Sequence, residues 1–180
     1  MNKIFITEIP KDLSIFNNVD TIEFNSLFNY NVDFLPNHIK NISFGWCFNK
    51  PINKLPSQLE KLSFSFSFNQ PLYNLPNKLK SLILSTEYNH SLDFLPNSLE
   101  TLIIGDFFNK KLDNLPNSLK NLTLGFYFNY NLNILPSNLE ELTLGYYFNK
   151  NITYPKNLKK IIVSPNFTKK IPNNIIVEII

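Results

Sequence analysis

The sequence predicts a mainly β protein, a parallel β solenoid of about eight coils of twenty residues each, with little or no helix. The dipeptide Leu-Pro recurs at a strict interval of twenty residues, at 35/36, 55/56, 75/76, 95/96, 115/116 and 135/136. Each unit also holds an apolar-x-apolar triplet, and this period of two is typical of a short strand. The triplets are Ile22/Phe24, Ile42/Phe44, Leu62/Phe64, Leu82/Leu84, Leu102/Ile104, Leu122/Leu124, Leu142/Leu144 and Ile161/Val163. No unit shows a helical stripe of useful length, and each contains a proline.

Residues 1–18 precede the first regular coil, and we expect them to cap the solenoid. Their segment "KIFITEIP" offers Ile4 and Ile6 as an extra strand that would cover the first edge of the sheet. This opening has no apolar run long enough for a signal peptide, and no stretch of the chain has eighteen consecutive apolar residues. The single cysteine, Cys47, fits a reducing compartment. We therefore expect a cytoplasmic protein that does not contact membranes.

Residues 19–172 form the predicted solenoid, and an aromatic-Asn pair recurs in its coils. The pairs are Phe28-Asn29, Phe48-Asn49, Phe68-Asn69, Tyr88-Asn89, Phe108-Asn109, Phe128-Asn129 and Phe148-Asn149. We expect the asparagines to form a ladder that satisfies backbone groups of the turns, and the rings to stack into an apolar spine. Both features would support folding rather than binding.

A column of charges alternates in sign just before each strand. It contains Asp20, Lys40, Glu60, Lys80, Glu100, Lys120, Glu140 and, after one deletion, Lys159. Stacking would place each acid between two lysines, so a slipped register would bring like charges together. The pattern is therefore interpreted as structural.

Residues 173–180 are predicted to be a carboxyl-terminal capping or pairing strand. The segment "IIVEII" at 175–180 is apolar and β-branched. It either closes the rod as the last strand or pairs with another chain, in which case the protein would be a homo-oligomer. The three segments together make one domain.

Units such as "FNKPINKLPSQLEKLSF" resemble the FNIP repeats, which are leucine-rich-repeat relatives abundant in social amoebae and in giant viruses of amoebae. The resemblance covers roughly residues 19–172. It implies a curved, leucine-rich-repeat-like scaffold for protein binding, with a host protein as the partner if the chain is viral, in which case it would act in the host cytoplasm. The unit of twenty residues is slightly shorter than the usual family unit, and no F-box precedes it.

Candidate binding residues lie at outward positions of the coils. Aromatic residues concentrate in the segment between each strand and the following asparagine, and we call these seven the rim aromatics: Trp46, Phe66, Phe107, Phe126, Tyr127, Tyr146 and Tyr147. A contiguous exposed row of such rings would suit a protein interface, whereas inward-folded rings would only fill the turn. The outward central strand positions, including Ile83, Ile103, Thr123 and Thr143, predict a smooth neutral face that suits a peptide or protein loop.

The other function classes find little support in the sequence. A net charge of +3 is mild for a nucleic-acid binder, although a row that includes Lys50, Lys110 and Lys150 follows the asparagines. His38 and His90 are far apart in the repeat, and the chain has no glycine-rich phosphate loop and no metal-ligand cluster. We therefore expect no catalysis and no cofactor. The leading hypothesis is a protein-binding scaffold that uses the concave sheet and the rim aromatics; the alternative is a structural protein that self-associates through residues 175–180.

Overall fold

Ten short strands form one parallel sheet in the computed structural model, which describes residues 2–180. The strands follow one another in chain order, so each coil adds one strand to the edge left by the coil before it. Their bounds are β1 (Lys3–Ile6), β2 (Thr21–Phe24), β3 (Asn41–Phe44), β4 (Lys61–Phe64), β5 (Ser81–Ile83), β6 (Thr101–Ile103), β7 (Asn121–Thr123), β8 (Glu141–Thr143), β9 (Lys160–Val163) and β10 (Ile176–Ile179). The only helical element in the described residues is a 3-10 turn at Leu13–Phe16.

The sequence repeat sets the register of the sheet. Ile42 pairs with Leu62 and Leu62 with Leu82, so residues twenty apart lie side by side. The first residue of every predicted triplet lies in a strand and is buried. The predicted fold, a parallel β solenoid, is confirmed, and the expected extra strand at Ile4 and Ile6 is β1.

The aromatic spine is present and runs through the interior of the stack. Its rings are fully or almost fully buried up to Phe148, and successive ring centroids are 5.8 to 6.5 Å apart from Phe28 to Phe167. In the first coils a second column, Phe24, Phe44 and Phe64, stacks beside it with centroids 4.9 and 5.2 Å apart. The core is thus a continuous apolar column, which no single coil could provide.

The asparagine ladder also forms, with one rung open. The Oδ1 atom of each asparagine accepts a hydrogen bond from the backbone N–H of the asparagine in the next coil, at 2.9 to 3.3 Å. At the last rung, Asn149 Oδ1 accepts from the Thr168 N–H at 3.2 Å. Between residues 2 and 180, the missing rung is the one from Asn109 to Asn129. The ladder therefore ties neighbouring coils together at nearly every turn.

The alternating charges stack as expected but pair in only one direction. Each of three lysines reaches the acid of the preceding coil: Lys80 to Glu60 at 3.3 Å, Lys120 to Glu100 at 2.9 Å and Lys159 to Glu140 at 2.6 Å. The hydrogen bond and charge of Glu100 raise the pKa of Lys120, and those of Lys159 lower the pKa of Glu140. All these groups are solvent-accessible, so the pairs add little stability.

A column of glycines, which the sequence analysis overlooked, lets the coils stack closely behind the strands. A Cβ atom added at Gly45, Gly105, Gly125 or Gly145 would lie 1.7 to 2.1 Å from the carbonyl oxygen of the residue twenty positions earlier. The sequence signal was available, because these glycines all occupy the first position after the apolar triplet. Close backbone approach therefore favours glycine in these four coils, whereas Asn25, Ser65, Ser85 and Ser164 occupy the same position in the others.

Candidate protein-interaction surface

The rim aromatics follow the strands in loops that stack as regularly as the strands do. Backbone hydrogen bonds join these loops from coil to coil, as from the Tyr127 N–H to the Asp106 carbonyl at 3.1 Å and from the Tyr147 N–H to the Phe126 carbonyl at 3.2 Å. The spine ring that follows each loop occupies the interior. The one or two residues before it therefore point away from the core.

Six of the seven rim aromatics are exposed, and Phe66 is half-buried. Their exposed fractions run from 38% at Phe126 to 53% at Trp46 and Tyr147. The six exposed rings therefore do not fold inward to fill a wide turn, which was the alternative interpretation. Exposed Trp and Tyr rings at contact distance from one another are typical of interaction surfaces.

The rim is not one contiguous row but two separate patches. Trp46 and Phe66 stack in parallel with centroids 4.4 Å apart at the amino-terminal end. Thr86, Glu87 and Asp106 then interrupt the aromatic positions. The second patch, which we call the C-terminal cluster, contains Phe107, Phe126, Tyr127, Tyr146 and Tyr147. The predicted contiguous row is wrong in this respect, because the coil of Thr86 and Glu87 has no ring at the rim and the next coil has only Phe107.

The C-terminal cluster consists of two stacked columns that meet edge to face. Phe126 stacks on Tyr146 at 5.1 Å, and Tyr127 stacks between Phe107 and Tyr147 at 5.3 and 5.5 Å. The two columns contact each other at 5.0 to 5.2 Å with interplanar angles of 77 to 89°. Stacked and edge-to-face pairs at these distances are the favoured aromatic geometries, so the cluster is ordered before any partner arrives.

A cavity of about 400 Å³ opens beside this cluster. Phe126 and Tyr146 form one wall, and Ile180 lies at another. Thr143 and Ser164 provide hydroxyl groups, and Asp106 provides a carboxylate. The Ser164 hydroxyl donates to the Tyr146 carbonyl at 2.8 Å, which fixes the floor of the cavity to the rim loop. A mostly apolar cavity with a few polar groups can receive one apolar or aromatic side chain of a partner.

The outward central positions of the middle strands lie on the solvent-facing side of the sheet. Ile83 is exposed, while Ile103, Thr123 and Thr143 are half-buried. At these central positions, charge appears only towards the two ends, where Glu23 pairs with Lys3 at 2.6 Å and Glu178 pairs with Lys160 at about 2.5 Å. The first strand positions of the same face also carry Lys61 in β4 and Glu141 in β8, so the face is uncharged from β5 to β7.

The His, Cys, Asp and Glu side chains, which serve in catalysis or metal binding in other proteins, are either dispersed along the chain or already in hydrogen bonds. Within residues 2–180, no group of three or more His, Cys, Asp and Glu side chains could hold a metal ion. The Nε2 atoms of His38 and His90 lie 2.9 and 3.0 Å from the carbonyl oxygens of Phe16 and Asn69. Cys47 is half-buried in a rim loop. The described part of the chain also contains no helix long and apolar enough to cross a membrane.

The carboxyl-terminal edge is the second candidate surface. β10 pairs with β9 in parallel, so residues 175–180 do close the stack as its last strand. All four residues of β10 are nevertheless exposed, and Ile176 and Ile179 are 67% and 66% accessible. At the other end, β1 is better covered, because Ile6 and Phe16 are buried.

The fold and these surfaces define a repeat solenoid of the leucine-rich-repeat type, and comparison with known proteins identifies the family. The FNIP repeat matches three consecutive stretches, residues 29–67, 68–107 and 108–147. The chain belongs to the FNIP repeat family. No curated protein matches it significantly.

Among solved structures, the chain is similar to CroV588, a giant-virus protein described as a novel circular LRR protein. The two are 30% identical, with a TM-score of 0.70, and the match covers 98% of this chain. It covers 32% of CroV588, so this chain spans about a third of that protein's length.

Proposed function

We propose that the protein is a non-catalytic interaction scaffold that binds another protein through the C-terminal cluster and the adjoining outward face of the sheet. The observation that carries this proposal is the cluster itself: five exposed or half-exposed rings, held in fixed mutual geometry beside an apolar cavity. A pre-ordered aromatic surface loses little conformational entropy on binding, and Tyr and Trp dominate binding hot spots.

The chemistry of the surface defines the kind of partner that suits it. The outward face carries no charged residue from β5 to β7, so this part of it offers little to a phosphate backbone. An extended segment of a protein could lie across the strands and place one apolar side chain in the cavity. If the chain is viral, as the similarity to CroV588 supports, the partner is a host protein in the host cytoplasm.

The test compares three immobilised proteins as baits for an amoebal lysate. The baits are the wild type, a double variant Phe126→Ser and Tyr146→Ser, and the control Phe94→Ser, whose ring is 75% exposed elsewhere on the coil. Proteins captured by the wild type and the control should be lost with the double variant. Loss of one hot-spot ring that contributes about 2 kcal/mol should weaken binding by about 30-fold, and loss of both rings should weaken it further. Partners that bind all three baits equally would refute the proposed surface.

The second candidate function is self-association through the exposed carboxyl-terminal edge. An exposed, apolar, β-branched edge strand is a ready template for another strand. Light scattering during size-exclusion chromatography tests this candidate by comparing the wild type with Ile176→Thr and Ile179→Thr. A wild type that is monomeric at every concentration would refute it.

A further inference from the structure

We propose that β10 of one copy pairs with β1 of a second copy, head to tail, so that the parallel sheet continues from chain to chain. This inference rests on the self-association candidate above and adds the partner edge and the register. Its first support is the topology. β1 and β10 each pair with one neighbour only, and all ten strands run parallel.

Parallel strands make the two ends of the sheet complementary. In a parallel ladder the donors and acceptors left open along one edge match those left open along the opposite edge. A second copy can therefore add its β1 to β10 with no change of strand direction. Pairing of two β10 strands about a twofold axis would instead be antiparallel and would end the sheet at a dimer.

The residues at the two edges also match in register. β1 pairs with β2 so that Phe5 faces Glu23, and β10 pairs with β9 so that Glu178 faces Ile162. Continuing this register places Phe5 of the second copy beside Glu178. It brings the inward-facing Val177 and Ile179 against Ile4 and Ile6, which extends the core across the junction.

On the outward face, the diagonal contact is an ion pair within the chain and becomes an apolar contact at the junction between two copies. Within the chain, Lys3 reaches Glu23 and Lys160 reaches Glu178, each lysine contacting the strand that follows its own. At the junction the same diagonal joins Ile176 to Phe5 of the second copy. These side chains are 67% and 66% exposed in the single chain, so pairing would remove apolar surface from water at both ends.

The apolar surface of the two ends supports the same pairing. Further exposed apolar residues lie next to the two edge strands, namely Ile9, Leu13 and Ile15 after β1, and Val177 and Ile180 in or beside β10.

The experiment uses the full chain and two variants that block one end each. The tail variant carries Ile176→Lys and Ile179→Lys, and the head variant carries Phe5→Lys and Leu13→Lys. The control carries Phe94→Lys and Ile134→Lys, which are equally exposed but lie in the middle of the stack. Light scattering should give the wild type and the control a mass of at least two chains of 21.0 kDa each. Each blocked variant alone should give a single chain, and a mixture of the two should give a complex of one copy of each.

The outcomes separate this inference from the candidate on which it rests. A wild type that stays monomeric contradicts both. A head variant that assembles as well as the wild type contradicts the head-to-tail pairing but leaves self-association through β10 standing.

A cross-linking measurement keeps the pairing testable if a blocked variant does not fold. In a Cys47→Ser background, Phe5→Cys and Glu178→Cys place two thiols beside each other only in the proposed register. Oxidation should give covalent oligomers that require both cysteines. A chain that stays uncrosslinked at concentrations where it is assembled would overturn the pairing.

Discussion

Tyr88 is the one tyrosine in a spine otherwise made of phenylalanine, and its replacement by Phe should stabilise the protein. The ring is fully buried between Phe68 and Phe108, with centroids 6.2 and 6.5 Å away. Its hydroxyl is buried without a well-formed hydrogen bond among the described residues, and the Leu72 backbone nearby lowers its pKa only in part against the effect of burial. Burial raises the pKa of Tyr88 to about 12.

The expected magnitude follows from the cost of that unpaired group. A buried polar group without a partner costs about 1–3 kcal/mol, whereas loss of one hydroxyl from a packed ring forfeits about 1 kcal/mol of contacts. Tyr88→Phe should therefore raise the free energy of unfolding by about 1 kcal/mol. For a chain of this size that corresponds to a rise in Tm of about 2–4 °C by calorimetry. The matched control is Phe108→Tyr, which buries a new hydroxyl one coil away and should lower Tm.

The pH dependence gives an independent check on the same residue. The folded chain holds the Tyr88 proton more tightly than the unfolded chain, whose pKa is near 10.0. The contribution to stability is thus fully present below pH 10 and is lost as the pH rises towards 12. The stability of the wild type should fall relative to that of Tyr88→Phe over this interval. A Tyr88→Phe variant that melts lower than the wild type would show that the hydroxyl has a partner, and the reasoning would be wrong.

Three further predictions concern contacts between coils, measured by denaturant unfolding. Asn69→Ala should lower the free energy of unfolding by about 1 kcal/mol, because Asn69 Oδ1 accepts a hydrogen bond from the Asn89 N–H at 3.0 Å. Asn109→Ala should lower it less, because the rung from Asn109 is open. Equal losses would contradict this account of the ladder. Gly125→Ala should cost about 1–3 kcal/mol because the new Cβ would lie 1.9 Å from a backbone oxygen, while Thr123→Ala on the outward face serves as the control. Lys120→Glu should lower the unfolding midpoint at low salt, because the reversed charge would lie between two acids. About 1 M salt should restore most of the loss by screening the repulsion. A loss that does not depend on salt would rule out the electrostatic explanation.

The features that every coil shares could be read from the sequence. A period of twenty residues leaves one way to stack the apolar triplets, and that stacking determines the sheet, the spine and the asparagine ladder together. The same argument predicted that Lys80 would lie beside Glu60, because residues one period apart must meet. In a repeat protein each coil packs against its neighbours in nearly the same way.

The features that differ between coils were harder to predict. Whether the rim aromatics form a continuous row depends on single residues such as Glu87 and Asp106. The pattern that the coils share does not specify these residues. The open rung at Asn109 and the unpaired Tyr88 hydroxyl depend on distances of a few tenths of an ångström, which spacing does not encode. The exposure of β10 depends on what lies beyond the last coil. Periodicity within the repeat contains no information about that.

The two proposed functions meet at one place, and this makes them experimentally linked. Ile180 lines the cavity beside Phe126 and Tyr146, and its N–H donates to the Val163 carbonyl at 3.1 Å, so the cavity wall belongs to the carboxyl-terminal edge. A second copy bound along β10 would bring its first coil to this wall and compete with a partner side chain for the cavity. Assembly should therefore weaken partner binding.

The tail variant, Ile176→Lys with Ile179→Lys, isolates this effect because it leaves the cavity residues unchanged. At concentrations where the wild type is assembled, the tail variant should bind a rim partner more tightly than the wild type. At concentrations where the wild type has dissociated, the two affinities should converge. Titration of a captured partner at both concentrations measures the difference. An affinity that is the same in both states would mean that the rim and the edge act independently, and that the second copy leaves the cavity open.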